Sequence, residues 1–143
     1  MGGHVTDGGA VRPGTDRELL ELMPYAVTLG IGLDAASARE VRGHLAWSPE
    51  LCTAGGILHG GVLMALADSL GGICAYLNLP RGARTATTSS SSVFLRGFTA
   101  GMVMAVARPL HAGRAVIVVQ TDLTDDDGRL GAQVTQTQAV APG

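Results

Sequence analysis

The chain has 143 residues, the size of one ordinary domain. Hydrophobic residues make up 46% of it and charged residues 15%, a balance that predicts a packed globular core and excludes a disordered or collagen-like chain. With 3% aromatic residues and a formal net charge of −2, it lacks the stacking surface and the positive charge typical of nucleic-acid binding. Residues 1–14 are glycine-rich and aperiodic, so we expect a flexible tail there and a single domain over residues 15–143.

The ten basic side chains are all arginines, and half of them fall in one segment that has no acidic residue. The arginines of this segment, residues 69–121, are Arg81, Arg84, Arg96, Arg108 and Arg114. A local excess of positive charge in a mildly acidic protein is typical of an anion-binding site, although a solvated basic face would give the same pattern.

Two cysteines, Cys52 and Cys74, and four histidines are spread along the chain without the spacing of disulfide frameworks or metal sites. No N-terminal basic segment followed by an apolar run resembles a secretory signal. We therefore expect a cytoplasmic protein whose cysteines are free and buried, and we expect no bound metal.

Capping and turn residues indicate the first elements. Thr15 followed by Glu18 is a capping box, which predicts a short amphipathic helix that Pro24 ends. Two strands are predicted next, at about residues 26–33 and 39–47, followed by a loop over 48–56.

The segment from residue 60 to about 79 is apolar on almost every side and carries one charged residue, Asp68. A helix without a polar stripe is expected to be buried. Its length would also span a bilayer, but its glycines, its carboxylate and the strand-rich remainder of the chain favour a core helix. No association with a membrane is therefore expected.

Four segments rich in Val, Thr and Ile follow, at residues 85–96, 101–110, 115–124 and 129–140. Asp127-Gly128 is a hairpin signal, and the acidic run that contains it lacks the glutamate that a calcium loop would need. Sequential strands of this kind are expected to pair antiparallel, and the economical way to bury one apolar helix is to curl their sheet around it. The sequence thus predicts an α+β hotdog fold, an antiparallel sheet wrapped around one long central helix.

Asp68 is the first candidate for chemistry, because a carboxylate within an apolar helix loses hydration and such groups are over-represented in active sites. An aspartate that only pairs with a strand or an arginine would give the same sequence. The start of the helix, His59-Gly60-Gly61, offers free backbone N–H groups and the positive end of the helix dipole. The Gly60 N–H is therefore a candidate oxyanion donor, and His59 either orients this turn or only caps the helix.

Helix geometry makes a prediction about assembly. Gly60 and Asp68 are eight residues apart, so roughly 12 Å of helix separates them and one reacting carbonyl group cannot touch both. If the two groups cooperate, Gly60 of one chain must meet Asp68 of another across a two-fold axis. The active unit is therefore expected to be a homodimer.

The sequence resembles the hotdog-fold acyl-CoA thioesterases of the phenylacetate-pathway and 4-hydroxybenzoyl-CoA types in four stretches. These are GGILHGGVLMALADSLGG, TATTSSSSVFLRGFTAGMV, PLHAGR and LTDDDGRLGAQVTQT. The likeness covers about residues 26–140, and its most specific parts are the His-Gly-Gly with an acid seven residues after the second glycine, the Phe-Leu-Arg strand end and the Pro-Leu-His-x-Gly-Arg turn.

The resemblance implies catalytic roles for four residues. Asp68 matches the family's acid, which acts as nucleophile on the thioester carbonyl or as general base on water, and both roles stay open. Gly60 matches the backbone oxyanion donor and His59 the histidine that shapes that site. Thr87 matches a strand hydroxyl that helps to place the attacking water.

The resemblance also implies a set of substrate-binding positions, which are Thr53, Gly61, Gly72, Arg96, His111 and Arg114. The last three fall where similar proteins contact coenzyme A, in agreement with the arginine-rich segment. The chain departs from the family pattern at Thr53, where relatives carry Gln or Asn to polarise the carbonyl, and at Gly72, where many relatives have a hydroxyl.

The function predicted from these residues is hydrolysis of an aromatic or medium-chain acyl-CoA, with no cofactor beyond the coenzyme A of the substrate. The homodimer is expected to pair further into a dimer of dimers, a homotetramer. Two alternatives stay open: a hotdog protein that binds an acyl-CoA or another small ligand without cleaving it, and a hotdog dehydratase.

Overall fold

The computed structural model describes residues 4–5, 11–12 and 16–143. The helices are α1 (Asp16–Glu21), α2 (Pro24–Leu29) and α3 (Gly60–Leu77). The strands are β1 (His4–Val5), β2 (Val11–Arg12), β3 (Gly32–Ala36), β4 (Val41–Ala46), β5 (Arg84–Phe94), β6 (Met102–Ala112), β7 (Val116–Thr124) and β8 (Leu130–Ala141). Two 3-10 turns, Pro49–Leu51 and Ala54–Gly56, precede α3.

The N-terminal predictions are only partly covered by this structure. Most of the predicted tail and the capping residue Thr15 lie outside the described residues, and within the tail β1 pairs with β2 as an isolated antiparallel ladder. The domain boundary at residue 15 therefore stays a prediction.

The main sheet has six strands in the order β3-β4-β6-β7-β8-β5, and every pairing is antiparallel. Helix α3 packs on one face of this sheet and contacts each of the strands β4 to β8. On β7 the inward residues are apolar or small, with Ile117, Val119 and Leu123 fully buried. The hotdog architecture predicted from the sequence is confirmed.

The position of β5 differs from simple sequential pairing. Although β6, β7 and β8 pair in order, β5 lies beyond β8 and does not pair with β6. The connection between β5 and β6, residues 95–101, is longer than a tight hairpin turn; within it Phe98 is buried and its carbonyl accepts a hydrogen bond from the Leu58 N–H. Strand β5 pairs with β8 alone and so lies at the edge of the sheet.

The strand predicted at residues 26–33 is wrong in its first part. Pro24 begins a second helix instead of ending the first, since its fixed φ and missing N–H are tolerated in the first turn. Gly30 ends α2 with a left-handed φ of 81°, and β3 begins only at Gly32. The other predicted strands are confirmed within a few residues at each end.

The prediction that α3 is buried on all sides is also wrong. Leu66, Leu70 and Cys74 are fully buried against the sheet, whereas Met64 is 40% exposed and Asp68 is exposed as well. The described residues contain no other helix long and apolar enough to cross a membrane, and half of α3 is buried within the fold. The helix thus has a core face and an open face.

The acidic run after β7 forms the predicted hairpin turn. The Asp125 carboxylate accepts hydrogen bonds from the backbone N–H groups of Asp127 and Arg129, and Gly128 takes a positive φ of 78°. The backbone N–H and guanidinium of Arg129 hold the pKa of Asp125 below its usual value. These hydrogen bonds explain why an aspartate stands at residue 125, where its carboxylate stabilises the turn.

Candidate active site

Asp68 lies on the open face of α3, beside the strands β5 and β8. Its Oδ1 atom accepts hydrogen bonds from the Gln136 Nε2 at 3.2 Å and, more weakly, from the Thr87 Oγ1 at 3.4 Å. No donor among the described residues bonds Oδ2. The carboxylate is therefore held by one oxygen, and the other oxygen is available for chemistry.

Thr87 is placed beside Asp68 by an irregularity in β5. The pairing with β8 shifts between Thr87 and Ser89, which makes Thr88 an extra residue in the strand. Bulges of this kind re-aim neighbouring side chains and are frequent next to active sites. The structure thus brings together the two predicted residues Asp68 and Thr87.

Behind Thr87 a chain of polar groups continues to the buried Gln138 and to Thr85. The Gln138 Nε2 donates to the Thr87 Oγ1 at 2.7 Å, and the Thr85 hydroxyl lies 3.2 Å from the Gln138 Oε1. Because Thr87 accepts from Gln138, its own hydroxyl proton is directed toward Asp68.

A cleft of about 270 Å³ opens next to the carboxylate. It runs between α1, α3 and β5, and its lining residues are Leu19, Leu22, Met23, Asp68, Gly72, Ile73, Tyr76, Thr85, Ala86, Thr87 and Gln138. The lining is mainly apolar, with the carboxylate and its polar neighbours on one side. Such a combination is typical of a small-molecule site.

The predicted oxyanion turn lies at the start of α3. His59 is the N-cap residue, and its Nδ1 accepts a hydrogen bond from the Gly61 N–H at 2.8 Å. No acceptor among the described residues bonds the Gly60 N–H, and the Phe94 ring lies against Gly60. His59 therefore acts as a cap that engages Gly61, and the free donor is Gly60.

The remaining substrate-binding candidates are not all brought together. Thr53 is exposed and begins the second 3-10 turn, where its N–H donates to the Ile57 carbonyl. Gly72 lines the cleft one helical turn beyond Asp68. Gly61 is exposed at the start of α3.

The three predicted coenzyme A contacts separate into two locations. Arg96 follows β5, and its N–H donates to the Gly131 carbonyl at the start of β8. Arg114 lies in the turn between β6 and β7, near Val140 at the other end of β8, and His111 is close to this turn. About nine residues of strand, roughly 30 Å, separate the two locations within one chain.

The five arginines of residues 69–121 are not equivalent in the structure, because one of them is already paired with a carboxylate. Arg108 forms an ion pair with Glu40 at 2.7 Å, and the same carboxylate accepts from Arg42. These two hydrogen-bonded partners lower the pKa of Glu40, the bond from Arg42 having the larger effect. Arg108 is therefore part of a surface ion-pair network.

The sequence analysis missed Gln136, Gln138 and Thr85. The sequence contained a signal for the two glutamines. Side chains of β8 alternate between its two faces, so Gln136 and Gln138 lie on the same inward face as the buried apolar Val134. Amides at the inward positions of a strand need partners in the core, so they point to a polar site there. The described residues contain no group of three or more potential metal-binding side chains.

Several known proteins that are similar to this chain in sequence and fold are thioesterases. The family profile of the Thioesterase superfamily matches residues 55–132, more than half of the chain. A thioesterase structure from Haemophilus influenzae is similar, with a TM-score of 0.84, 27% identity and coverage of 90% of this chain and 91% of that one. A mutant thioesterase from Pseudomonas aeruginosa has a TM-score of 0.83 and 30% identity over 92% of this chain and 98% of its own.

A curated relative is similar over a shorter stretch. The 1,4-dihydroxy-2-naphthoyl-CoA hydrolase of Escherichia coli is 32% identical over 85 residues, which are 59% of this chain and 62% of the hydrolase. The family match and the shared architecture lead to the same assignment. The chain belongs to the Thioesterase superfamily and is a thioester hydrolase with the hotdog fold.

Proposed function

We propose that this thioesterase hydrolyses an acyl-CoA to the free acid and coenzyme A, with Asp68 as the reacting carboxylate. The proposal rests on how this carboxylate is bonded. Its Oδ1 accepts two hydrogen bonds beside an apolar cleft, whereas its Oδ2 accepts none from the described residues. A carboxylate oxygen in that position can attack a carbonyl carbon or take a proton from water.

Both chemical routes use the same residues. In the nucleophilic route Oδ2 bonds to the thioester carbon, the coenzyme A thiolate leaves, and water then hydrolyses the mixed anhydride. In the general-base route Oδ2 takes a proton from water as the water oxygen attacks the same carbon, and the sulfur leaves with a proton. In each case negative charge develops on the carbonyl oxygen, which a backbone N–H would stabilise.

The oxyanion donor in this proposal is the Gly60 N–H of a second chain. It is unpaired among the described residues, but roughly 12 Å of helix separates it from Asp68 of the same chain. The open face of α3, which carries Met64 and Asp68, and the free edge of β5 are surfaces that a second copy could cover. A two-fold axis would then bring each Gly60 to the partner's carboxylate.

The cleft supports an aromatic or medium-chain acyl group. Its volume of about 270 Å³ exceeds the roughly 150 Å³ of a protein cavity that binds benzene. Gly72 has no side chain to narrow this cleft beyond Asp68. The Escherichia coli relative, a hydrolase of a naphthoyl-CoA, is consistent with a ring-bearing acid.

Arginines outside the ion-pair network are proposed to bind the phosphates of coenzyme A. Neither Arg96 nor Arg114 forms an ion pair with a described residue, in contrast to Arg108. Arg114 and Arg81 line a second cavity of about 480 Å³ at the end of β8. Because Arg96 lies at the opposite end, the two arginines would contact substrates of different sites or come from different chains, as in the proposed homotetramer.

The proposed chemistry needs no metal or redox cofactor, because the carboxylate and the helix N–H supply both the base or nucleophile and the oxyanion donor. The compartment proposed for the enzyme is the cytoplasm.

Asp68→Asn tests this proposal. The amide keeps the size of the side chain but can neither attack the thioester nor take a proton, so we expect kcat to fall by roughly 10²–10⁴-fold. The measurement is thiol release from a panel of aromatic and medium-chain acyl-CoAs. Asp122→Asn is the matched control, because Asp122 lies on β7 and accepts from Gln133 instead of lining the cleft.

The outcomes separate clearly. Full turnover by Asp68→Asn would show that another group carries the reaction. Loss of turnover in both aspartate variants would point to a general loss of structure rather than to the chemistry of Asp68. Loss in Asp68→Asn alone is the expected result.

A further inference from the structure

We infer that Gln136 is a positioning residue for the reaction: it fixes Asp68 through Oδ1 and so directs Oδ2 toward the thioester. This inference rests on the role proposed above for Asp68. Gln136 itself is placed behind the carboxylate, in the sheet, and does not line the cleft.

The surroundings of Gln136 are unusual for an amide. Its side chain is 1% exposed, and its Nε2 donates to Asp68 at 3.2 Å. Its Oε1 atom is buried and has no hydrogen-bond partner among the described residues. The amide nitrogen is therefore bonded to Asp68, whereas the amide oxygen is shielded from water and has no hydrogen bond from a described residue in its place.

Fold stability does not explain this glutamine. A buried polar atom without a partner disfavours the folded state, whereas an apolar side chain of similar length would fill the same space without that cost. The inward neighbour on the same strand, Val134, is fully buried and apolar. The bond to Asp68 is the interaction that an apolar side chain at this position would lose.

Helix α3 is adapted to this amide at Gly71. A Cβ atom at residue 71 would lie 1.9 Å from the Gln136 Oε1 and 2.5 Å from its Cδ, both far too close for contact. Glycine in the middle of a helix is unfavourable relative to alanine. Gly71 therefore leaves the space that the buried amide occupies beside Asp68.

Thr87, the second donor to Asp68, also holds the carboxylate in its orientation. Gln138 directs the hydroxyl of Thr87 to the same atom, Oδ1. Two donors on one oxygen oppose rotation of the carboxylate about its terminal bond, because rotation would exchange the bonded and the free oxygen. An oriented nucleophile or base gains rate through proximity, and the gain is lost when its orientation is lost.

The test compares two variants that remove this positioning in different ways. Gln136→Met removes the donor and the unpartnered oxygen but keeps the length of the side chain. Gly71→Ala keeps the glutamine, and the new methyl group displaces its flexible end from Asp68. The control is Gln133→Met, since Gln133 lies on the same strand and donates at 2.8 Å to a different carboxylate, Asp122.

We expect Gln136→Met and Gly71→Ala to lower kcat by roughly ten- to one-hundred-fold, the range given by loss of one hydrogen bond to a charged group. KM should change little, because neither Gln136 nor Gly71 lines the cleft. The thermal midpoint of Gln136→Met should stay equal or rise, and a residue with a purely structural role would instead lower it. Gln133→Met should keep the kcat of the parent enzyme.

Asp68→Asn is measured alongside to distinguish two kinds of failure. If Asp68→Asn is inactive while Gln136→Met keeps full kcat, the inference about Gln136 is wrong and the role of Asp68 stands. If Asp68→Asn is itself active, the proposed function fails first. Should Gln136→Met not fold, Gly71→Ala decides, and full kcat in that folded variant overturns the inference.

Discussion

The two faces of α3 differ in burial and in charge. On the core face Leu66, Leu70 and Cys74 are fully buried, and on the open face Met64 and Asp68 are exposed. The helix as a whole is apolar, so composition does not separate the two faces. The buried face therefore stabilises the domain, and the open face is the one on which we propose that the substrate and a second chain bind.

The largest expected effect on stability comes from the core face. Leu70→Ala should lower the free energy of unfolding by about 2–5 kcal/mol, because the side chain is fully buried and a cavity remains. Urea denaturation measures this change, and kcat per folded molecule should stay near that of the parent. A loss below about 1 kcal/mol would show that this face collapses around the gap and is less tightly packed than its burial implies.

A smaller effect is expected on the open face. Met64→Arg should weaken a homodimer at least about tenfold, or about 1.4 kcal/mol, if a second chain covers this face and leaves the new charge without a partner. Light scattering across a dilution series measures the association. Val27→Arg is the control, since Val27 is 50% exposed on α2. Unchanged association in Met64→Arg would contradict the assembly proposed for the site.

The smallest effect on the fold is expected for the chemical modification of the two cysteines, which changes neither core packing nor association before the thiols react. Burial raises the pKa of the Cys74 thiol to about 12, so roughly a thousandfold less thiolate is present than for an ordinary cysteine at neutral pH. Iodoacetamide should modify the half-buried Cys52 first in the native enzyme and reach Cys74 only after unfolding. Mass spectrometry of the alkylated peptides checks this order, and equal labelling would mean that the core face opens readily.

The sequence predicted the fold well where periodicity is strong. The long apolar helix and the strands rich in Val and Thr are confirmed, because tertiary packing agrees with their local pattern. The prediction failed at residues 26–29, where an apolar run too short for either period was assigned to a strand and lies in α2 instead. The edge position of β5 was missed because the pattern of a strand does not show which strand it pairs with, and consecutive strands were expected to pair.

For the site, the sequence and its family resemblance identified Asp68 and its neighbour Thr87, but not the amides of Gln136 and Gln138 that bond to them. Asp68 is conspicuous because it is a charge within an apolar helix. Gln136 is not, since residues 135–138 are all polar, and only the two-residue spacing from the buried Val134 indicates that it faces inward. The residues predicted to contact coenzyme A lie at opposite ends of β8, a separation that follows from strand register and that spacing along the sequence does not give.

The adjacent glycines of α3 have a consequence for engineering a more thermostable enzyme. Replacing helical glycines by alanine is a common way to gain roughly 1 kcal/mol, and the sequence offers Gly71 and Gly72 as equivalent targets. An added methyl group meets open space at Gly72 and the buried amide at Gly71. We therefore expect Gly72→Ala to stabilise the helix at the expense of the acyl-chain length that the cleft accepts, and Gly71→Ala to do so at the expense of turnover.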